Sequence, residues 1–482
     1  MHKTRLVSIL KALEIREMTR FEELVHSDFF NKNKKVRKLC TTLMKHRPEF
    51  DHPALEKRKV FRLLFKVENY NEIQLNNVIS DLLQLLYAFL AFQQYQKKPN
   101  VQGHFLLAEL LDRELHQHVE YNARRFRQRQ QKMPYRNFEF YQDSYHYYDQ
   151  MDRYSLSKGK RGYDENLQLK NDALDRYYLA NKFRIACDMT SRNIVINAGY
   201  QCHFLEELLV QYHSEALELQ QTPALQLYYK ALQMLREPEQ RKYYFELKKL
   251  LETHIDAFPQ GELRILYNYA LNHCVRMINS GRSAFYQEIL DLYKVLLDRK
   301  IIFKNNYLTQ WSYINIVTAG IRLKEYDWTE HFIQTYKDYL LPEVRHNVYT
   351  YNLVALYFEQ KDYQKALQLL HTVEFTDAFY HLSAKIIQLK SYYELDEMEA
   401  FFALVEATKK YLARNRQLST YQKSSNINFL KLANRIYNLR LKALSSSSTS
   451  FQKQWRELEQ QLLNTEPLGN KNWLEDALMG LR

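Results

Sequence analysis

The sequence predicts an all-α protein built from helical hairpins stacked in series, and three observations carry that reading. Apolar residues recur at three- and four-residue steps almost throughout, as in Leu75, Ile79, Leu82, Leu83 and Leu86, or Leu205, Leu208, Leu209 and Tyr212, with no sustained period-two alternation. Only 9 glycines and 9 prolines occur in 482 residues, too few turn formers for a sandwich, barrel or doubly wound sheet of this size. The breaks lie one or two helices apart, a spacing that suits short antiparallel hairpins better than one globular bundle. A chain that is 46% hydrophobic and 26% charged has ample material for a core.

In chain order, residues 1 to 96 read as four or five short helices ending in a long apolar helix from Tyr70 to Tyr95. Residues 103 to 190 read as three long helices. Breaks fall at Pro48 with Pro53, Lys98-Pro99, Met133-Pro134, residues 157 to 162, Thr222-Pro223, Glu237-Pro238, Phe258-Pro259 and Leu341-Pro342. One long helix follows from 415 to 444. Ser445 to Ser450 then reads as a flexible linker to an amphipathic segment, Phe451 to Leu463, and a short tail around Trp473 whose removal should leave a folded core. The expected domains are 1–99, 100–198, 199–444 and 445–482.

Cys40, Cys187, Cys202 and Cys274 are far apart and show no zinc-ligand spacing, so reduced thiols and no metal are expected. Charged residues interrupt the first eighteen positions, unlike a secretory signal, and the longest apolar stretch, Leu82 to Phe92, falls short of the roughly 20 residues of a spanning helix. A cytoplasmic protein without membrane insertion is the expectation. The formal charge of +13 is concentrated: residues 1–50 hold twelve Lys/Arg against six Asp/Glu, and residues 121–163 hold ten against four.

Internal periodicity is clearest between Asn347 and Leu412, where two units follow one another 34 residues apart. In the first, Leu353 and Tyr357 mark one helix, Lys361-Asp362-Tyr363 the corner, and Ala366, Leu370 and Val373 the second helix. In the next, Ile387, Ala400, Leu404 and Ala407 take the equivalent places around Leu395-Asp396-Glu397. An earlier hairpin, with Tyr313, Ile316 and Val317 before Lys324-Glu325-Tyr326 and Phe332 and Ile333 after it, precedes the first unit by 37 residues. These units resemble tetratricopeptide repeats, with Ala366 as the small residue where the paired helices approach. They depart from that pattern at Val354 and Gln388, where a small residue is usual, and at Ala378 and Leu412, where proline is usual. The chain as a whole is similar to long, basic, tyrosine-rich TPR-like bacterial proteins, a likeness that implies an irregular α-solenoid and no activity.

The resemblance places Val348, Tyr351, Ala355, Phe358 and Glu359, then Leu382, Lys385, Leu389, Tyr392 and Tyr393, on a concave face of the kind that holds a peptide or a partner helix. That groove reads as apolar and aromatic, without a basic clamp, and the helix after residue 415 could itself cap it. Two basic regions offer phosphate contacts instead. Lys32, Lys34, Lys35, Arg37 and Lys38 belong to a stretch from Phe29 to Pro48 with seven cations and no carboxylate, and Arg124, Arg125, Arg127 and Arg129 precede the aromatic series Phe138, Tyr141, Tyr145 and Tyr148. The spacing of that series also suits a core stripe.

No nucleophile elbow, zinc-binding helix or phosphate loop occurs. Arg47 and His52 keep an R-x4-H spacing but sit between Pro48 and Pro53, which favours a loop. His116 and His118 point to different sides of a helix, and Gly159-Lys160-Arg161-Gly162 lacks the sheet that a GXXG nucleic-acid clamp requires. The expectation is a non-enzymatic scaffold, without cofactor, that binds a protein partner. The alternative is a nucleic-acid adaptor using residues 29–48 and 124–136, and a third reading is an enzyme whose site assembles from distant residues.

Overall fold

The computed structural model describes residues 1, 3–159, 162–196, 198–214, 217–371, 378–416, 418–443 and 448–482. Lys160 and Arg161 of the GXXG stretch, Val373 and the first half of the Ser445 to Ser450 linker lie outside them, and the second half of that linker is the start of a helix. Among the described residues every regular element is helical, and extended pairing is confined to two isolated bridges, Lys304 with Tyr307 and Leu308 with Leu340. The chain divides into two compact units, Met1–Arg184 with Phe204–Leu225, and Ile185–His203 with Gln226–Arg482.

The first unit opens with α1 (Arg5–Leu10), α2 (Ile15–His26), α3 (Lys34–Met44) and α4 (Lys57–Phe65), which pack on α5 (Glu72–Gln96). One face of α5 builds this core through Leu75, Val78, Ile79, Leu82, Leu86 and Phe89. The long apolar helix expected from Tyr70 to Tyr95 is α5, which at 25 residues is long and apolar enough to cross a membrane by length and composition only. Four helices follow where three were expected: α6 (Pro99–Asp112), α7 (His116–Lys132), α8 (Phe138–Ser157) and α9 (Glu165–Ile196), the last of which passes into the second unit from Ile185 onward. A short segment holds α10 (Leu205–Ser214) and α11 (Leu217–Gln220).

The second unit takes up most of α12 (Pro223–Arg236), then α13 (Arg241–Thr253), α14 (Gln260–Asn279), α15 (Phe285–Asp298), α16 (Gln310–Arg322), α17 (Tyr326–Tyr336), α18 (Pro342–Glu359), α19 (Tyr363–His371), α20 (Ala378–Glu394) and α21 (Met398–Arg414). From α13 to α21 each helix packs on the next in a solenoid-like series, and α16 also reaches α18 as α18 reaches α20. Proline starts or caps several helices, as at Pro99, Pro223, Pro259 and Pro342, where the missing N–H falls among donors with no partner inside the helix. α22 (Thr420–Ala443), α23 (Ser448–Asn464) and α24 (Lys471–Met479) close the unit. Trp455, Leu458, Leu462, Leu474 and Leu478 share one buried cluster with Phe401, Phe429 and Tyr437. The C-terminal segment is thus part of the hairpins' core and not a detachable tail.

The corners explain the scarcity of glycine. Glu114, Gly281, Lys300, Lys324, Lys361 and Asp396 all have φ between 55° and 86°. At each, the next residue's N–H donates to the carbonyl four residues before the corner, as from Asp362 to Tyr357, closing the helix with a Schellman pair. Five of these six left-handed positions carry a side chain, so a search for Gly and Pro breaks passes over Glu114 and merges α6 with α7.

The same corners fix the repeat register. Lys324, Lys361 and Asp396 are 37 and then 35 residues apart, so the 34-residue frame is one residue short in the last unit. In the corrected frame Val317, Val354 and Leu389 are equivalent and all fully buried, while Ala366 corresponds to buried Thr329 and Phe401 in place of Ala400. Only the middle unit has a small residue there. In the first unit the small partner is Gly320 on the opposite helix.

Candidate functional site in the C-terminal hairpins

On α18 the residues Tyr351, Ala355, Phe358 and Glu359 lie on one face at steps of three and four. The corrected register brings Ser383, Ile386 and Lys390 of α20 opposite them, and α16 adds Thr318, Ile321 and Arg322. The segment entering α22 covers the other side with Leu418, Gln422 and Asn426, and Asn470 reaches in from the start of α24. The result is an inner cavity of about 360 Å³ lined by polar and apolar side chains alike. Closure by the chain's own C-terminal helices turns an open groove into this bounded space.

A second, more open cavity of about 570 Å³ lies beyond Phe358 and Glu359. Tyr363, Tyr393 and Trp473 supply further rings, and Glu394 and Asp476 further carboxylates. Phe358 and Tyr363 have ring centroids 5.4 Å apart, and Tyr393 and Trp473 meet edge to face at 5.2 Å. The Trp473 indole N–H donates to Glu394 Oε1 at 3.0 Å, fixing that ring at the mouth. Burial and the carboxylates of Glu394 and Glu359 push the Tyr363 hydroxyl up to about 12, so it stays protonated and able to donate.

Of the ten groove residues read from the sequence, Tyr351, Ala355, Phe358, Glu359 and Leu382 line the inner cavity, and Phe358, Glu359 and Tyr393 the outer one. Val348 and Leu389 are fully buried. Lys385 and Tyr392 are half-buried and line neither space. Adding 35 in place of 34 to Tyr351, Ala355, Phe358 and Glu359 gives Ile386, Lys390, Tyr393 and Glu394, all of which do line one or the other. Arg322, Lys390, Tyr363 and Trp473 were missed, and the correct period is the signal that would have found Lys390.

Lys390 also changes the chemistry read for the groove. Its ammonium lies 5.2 Å from the Phe358 ring centre and 5.9 Å from that of Trp473, and it makes no hydrogen bond or ion pair among the described residues. Burial, with Arg322 adding to it, lowers its pKa to about 8 against the opposing pull of Glu359 and Glu394. The groove therefore carries two cations, contributed by α16 and α20.

In the first unit Lys32, Lys34, Lys35 and Lys38 are exposed, as are Arg124, Arg125, Arg127 and Arg129. Among the described residues only Arg37 of these nine cations forms an ion pair, with Asp28. Lys38 donates to the Leu63 carbonyl at 2.8 Å, and Lys35 sits 4.2 Å over the Phe65 ring. The aromatic series Phe138, Tyr141, Tyr145 and Tyr148 is half-buried, while the buried face of α8 runs through Ser144, Tyr147, Met151 and Ser155. A cleft of about 280 Å³ brings Arg127, Arg136 and Arg176 beside Phe140, Tyr141 and Tyr148.

Arg47 and His52 lie in the loop between α3 and α4, as their prolines indicate. Arg47 donates to Thr19 Oγ1 at 3.2 Å, and His52 stacks on His46 with centroids 4.2 Å apart. His104 approaches Asp143 at 3.4 Å and His146 at 5.3 Å between centroids, and Asp143 also accepts from Asn100 at 2.7 Å. This polar contact joins α6 to α8. Among the described residues no three His, Cys, Asp or Glu side chains are grouped as a metal site. No family model, curated protein or solved structure matches the chain, so its site is read from its own residues.

Proposed function

We propose that this chain is a non-enzymatic, tetratricopeptide-repeat-like scaffold that holds a segment of a protein partner in the aromatic mouth formed by α18, α19, α20 and α24. The observation that carries the reading is the open cavity of about 570 Å³, where Phe358, Tyr363, Tyr393 and Trp473 stand among Glu359, Glu394 and Asp476 and the cations Lys361 and Arg440. Aromatic rings around a partly dry pocket are where interface binding energy concentrates, and the charges of both signs on its rim can pair with polar groups of the bound segment. The corner spacing of 37 and 35 residues supports the repeat reading without matching a strict 34-residue period.

A photo-crosslinking phenylalanine analogue at Tyr363, which lines the mouth and is half-buried, tests this in cells. It is expected to trap a discrete partner, whose purified form then loses about 2 kcal/mol or more of binding energy to a Tyr363→Ala variant. Equal binding to the variant and the parent would remove the mouth as the docking site.

A second reading has its own observation, namely that eight of the nine candidate cations of the first unit form no ion pair among the described residues. Unpaired cations beside rings suit single-stranded nucleic acid. Binding to fluorescent single-stranded RNA is expected to weaken steeply between about 50 and 200 mM salt. Charge reversal at Lys34, Lys35 and Lys38, or at Arg124, Arg127 and Arg129, should then abolish it with the fold intact. RNA binding that persists in both triple variants would move the contact elsewhere.

A further inference from the structure

We propose that the inner cavity is a binding site for a small organic anion, a molecule bearing one carboxylate or phosphate, which Lys390 and Arg322 neutralise and the amides of Gln422, Asn426 and Asn470 orient. This goes beyond the partner-binding reading, which concerns the outer mouth. Four observations lead to it. Both cations line the same space of about 360 Å³ and come from different helices, α20 and α16. Neither has an ion-pair partner among the described residues, although Glu359 lines the same cavity.

Carboxamides converge on the space from two further places in the chain, α22 and the first turn of α24. Such groups can donate to an anion's oxygens and accept from its hydroxyls. Finally, the size suits a small molecule: pockets that enclose one run from about 300 to 1,000 Å³, and a helix of about 10 Å diameter needs more room. Lys390, half-buried and without a counter-charge, is poorly solvated, and an entering anion replaces the missing partner, while Arg322 is exposed and meets that anion from the solvent side. The depressed pKa of the lysine has the same origin, since burial and the neighbouring Arg322 outweigh the pull of Glu359 and Glu394. Tyr351 and Phe358 give the body of the ligand an aromatic wall.

The test is acylation of lysines in the full chain at pH 8, followed by mass spectrometry, with the headgroups themselves as probes. Inorganic phosphate and acetate are compared with chloride at matched ionic strength, which separates a phosphate from a carboxylate preference. At least one of the two is expected to slow acylation of Lys390 fivefold or more while leaving Lys385, which lies outside the cavity, unchanged. Arg322→Gln should abolish that protection while Lys390 still reacts in chloride. This arm keeps the test decisive where a Lys390 variant fails to fold. Equal Lys390 reactivity in phosphate, acetate and chloride overturns the proposal, and so does protection that survives in Arg322→Gln. Tyr363→Ala should leave the protection intact, so loss of partner binding and loss of the anion site are read separately.

Discussion

Deleting residues 451–482 is expected to unfold the C-terminal hairpins. The deletion removes Trp455, Leu458, Leu462, Leu474 and Leu478, each with 7% or less of its surface exposed, from the cluster that also holds Phe429, Leu432, Ile436 and Tyr437. Burying such a side chain contributes roughly 1.5–3 kcal/mol, so five of them are on the order of 10 kcal/mol, comparable with the whole net stability of a domain. The loss extends beyond apolar area. The Trp455 indole donates to the Leu478 carbonyl at 2.9 Å, and Asn428 donates to the Pro467 carbonyl at 3.0 Å. Without α23 and α24, the Asn428 amide and the faces of α20 and α22 meet water. Circular dichroism melts and limited proteolysis should show the truncated chain losing one cooperative transition and becoming cleavable within α20 to α22. A truncated protein with the parent's melting profile would mean that the hairpins complete their core without the cap. A milder form of the same test is Leu474→Ala, expected to cost about 2–5 kcal/mol because Leu474 is fully buried.

How much of this was legible in the sequence depends on which physical signal each feature leaves. Helix identity was readable because burial on one face forces three- and four-residue apolar spacing, and the proline positions announced several helix starts. The corner at Glu114 was not readable, because a left-handed residue with a side chain carries no glycine signature. The register slip has the same root. Gln388 departed from the repeat pattern, and the corner at Asp396 shows why: in the true frame Gln388 aligns with Leu353 and Leu389 with Val354, whereas Val354 departs in either frame. One residue of slip on a helix is a turn of 100°, enough to replace Ile386 and Lys390 by Lys385 and Leu389 in the expected groove. Trp473 and Asn470 were beyond any local pattern, since they reach the site from 80 or more residues away along the chain, measured from Lys390. The basic windows were readable as composition, but whether a cation is paired depends on contacts such as Arg37 with Asp28, which only the fold supplies.

Gly320→Ala is expected to destabilise the protein, against the usual direction for a helix interior. At an exposed helical site the change is favourable by roughly 0.5–1 kcal/mol, because alanine loses less backbone freedom on folding. Here a Cβ on Gly320 would stand 2.1 Å from Thr329 Oγ1 and 3.3 Å from Thr329 Cβ. Thr329 is fully buried, and its hydroxyl donates to the Glu325 carbonyl at 2.7 Å, so it cannot swing away without breaking that bond. The helices α16 and α17 must separate instead, and overpacking of this kind costs about 1–3 kcal/mol, which outweighs the helical gain. Thr329→Ala alone should also destabilise, through the lost hydroxyl bond and the space it leaves. In the double variant the obstructing oxygen is absent and the remaining 3.3 Å approach can relax by a few tenths of an ångström, so the two costs should fall short of additive. Urea denaturation of the parent, both single variants and the double variant measures that coupling. A stabilised Gly320→Ala variant would show that α16 and α17 do not approach as closely as the corner at Lys324 demands. The same reasoning extends to the next hairpin, where Ala366 occupies the register position of Thr329 and is fully buried. Each of these two hairpins thus carries one small residue in its paired helices, Gly320 on the first helix of one and Ala366 on the second helix of the other.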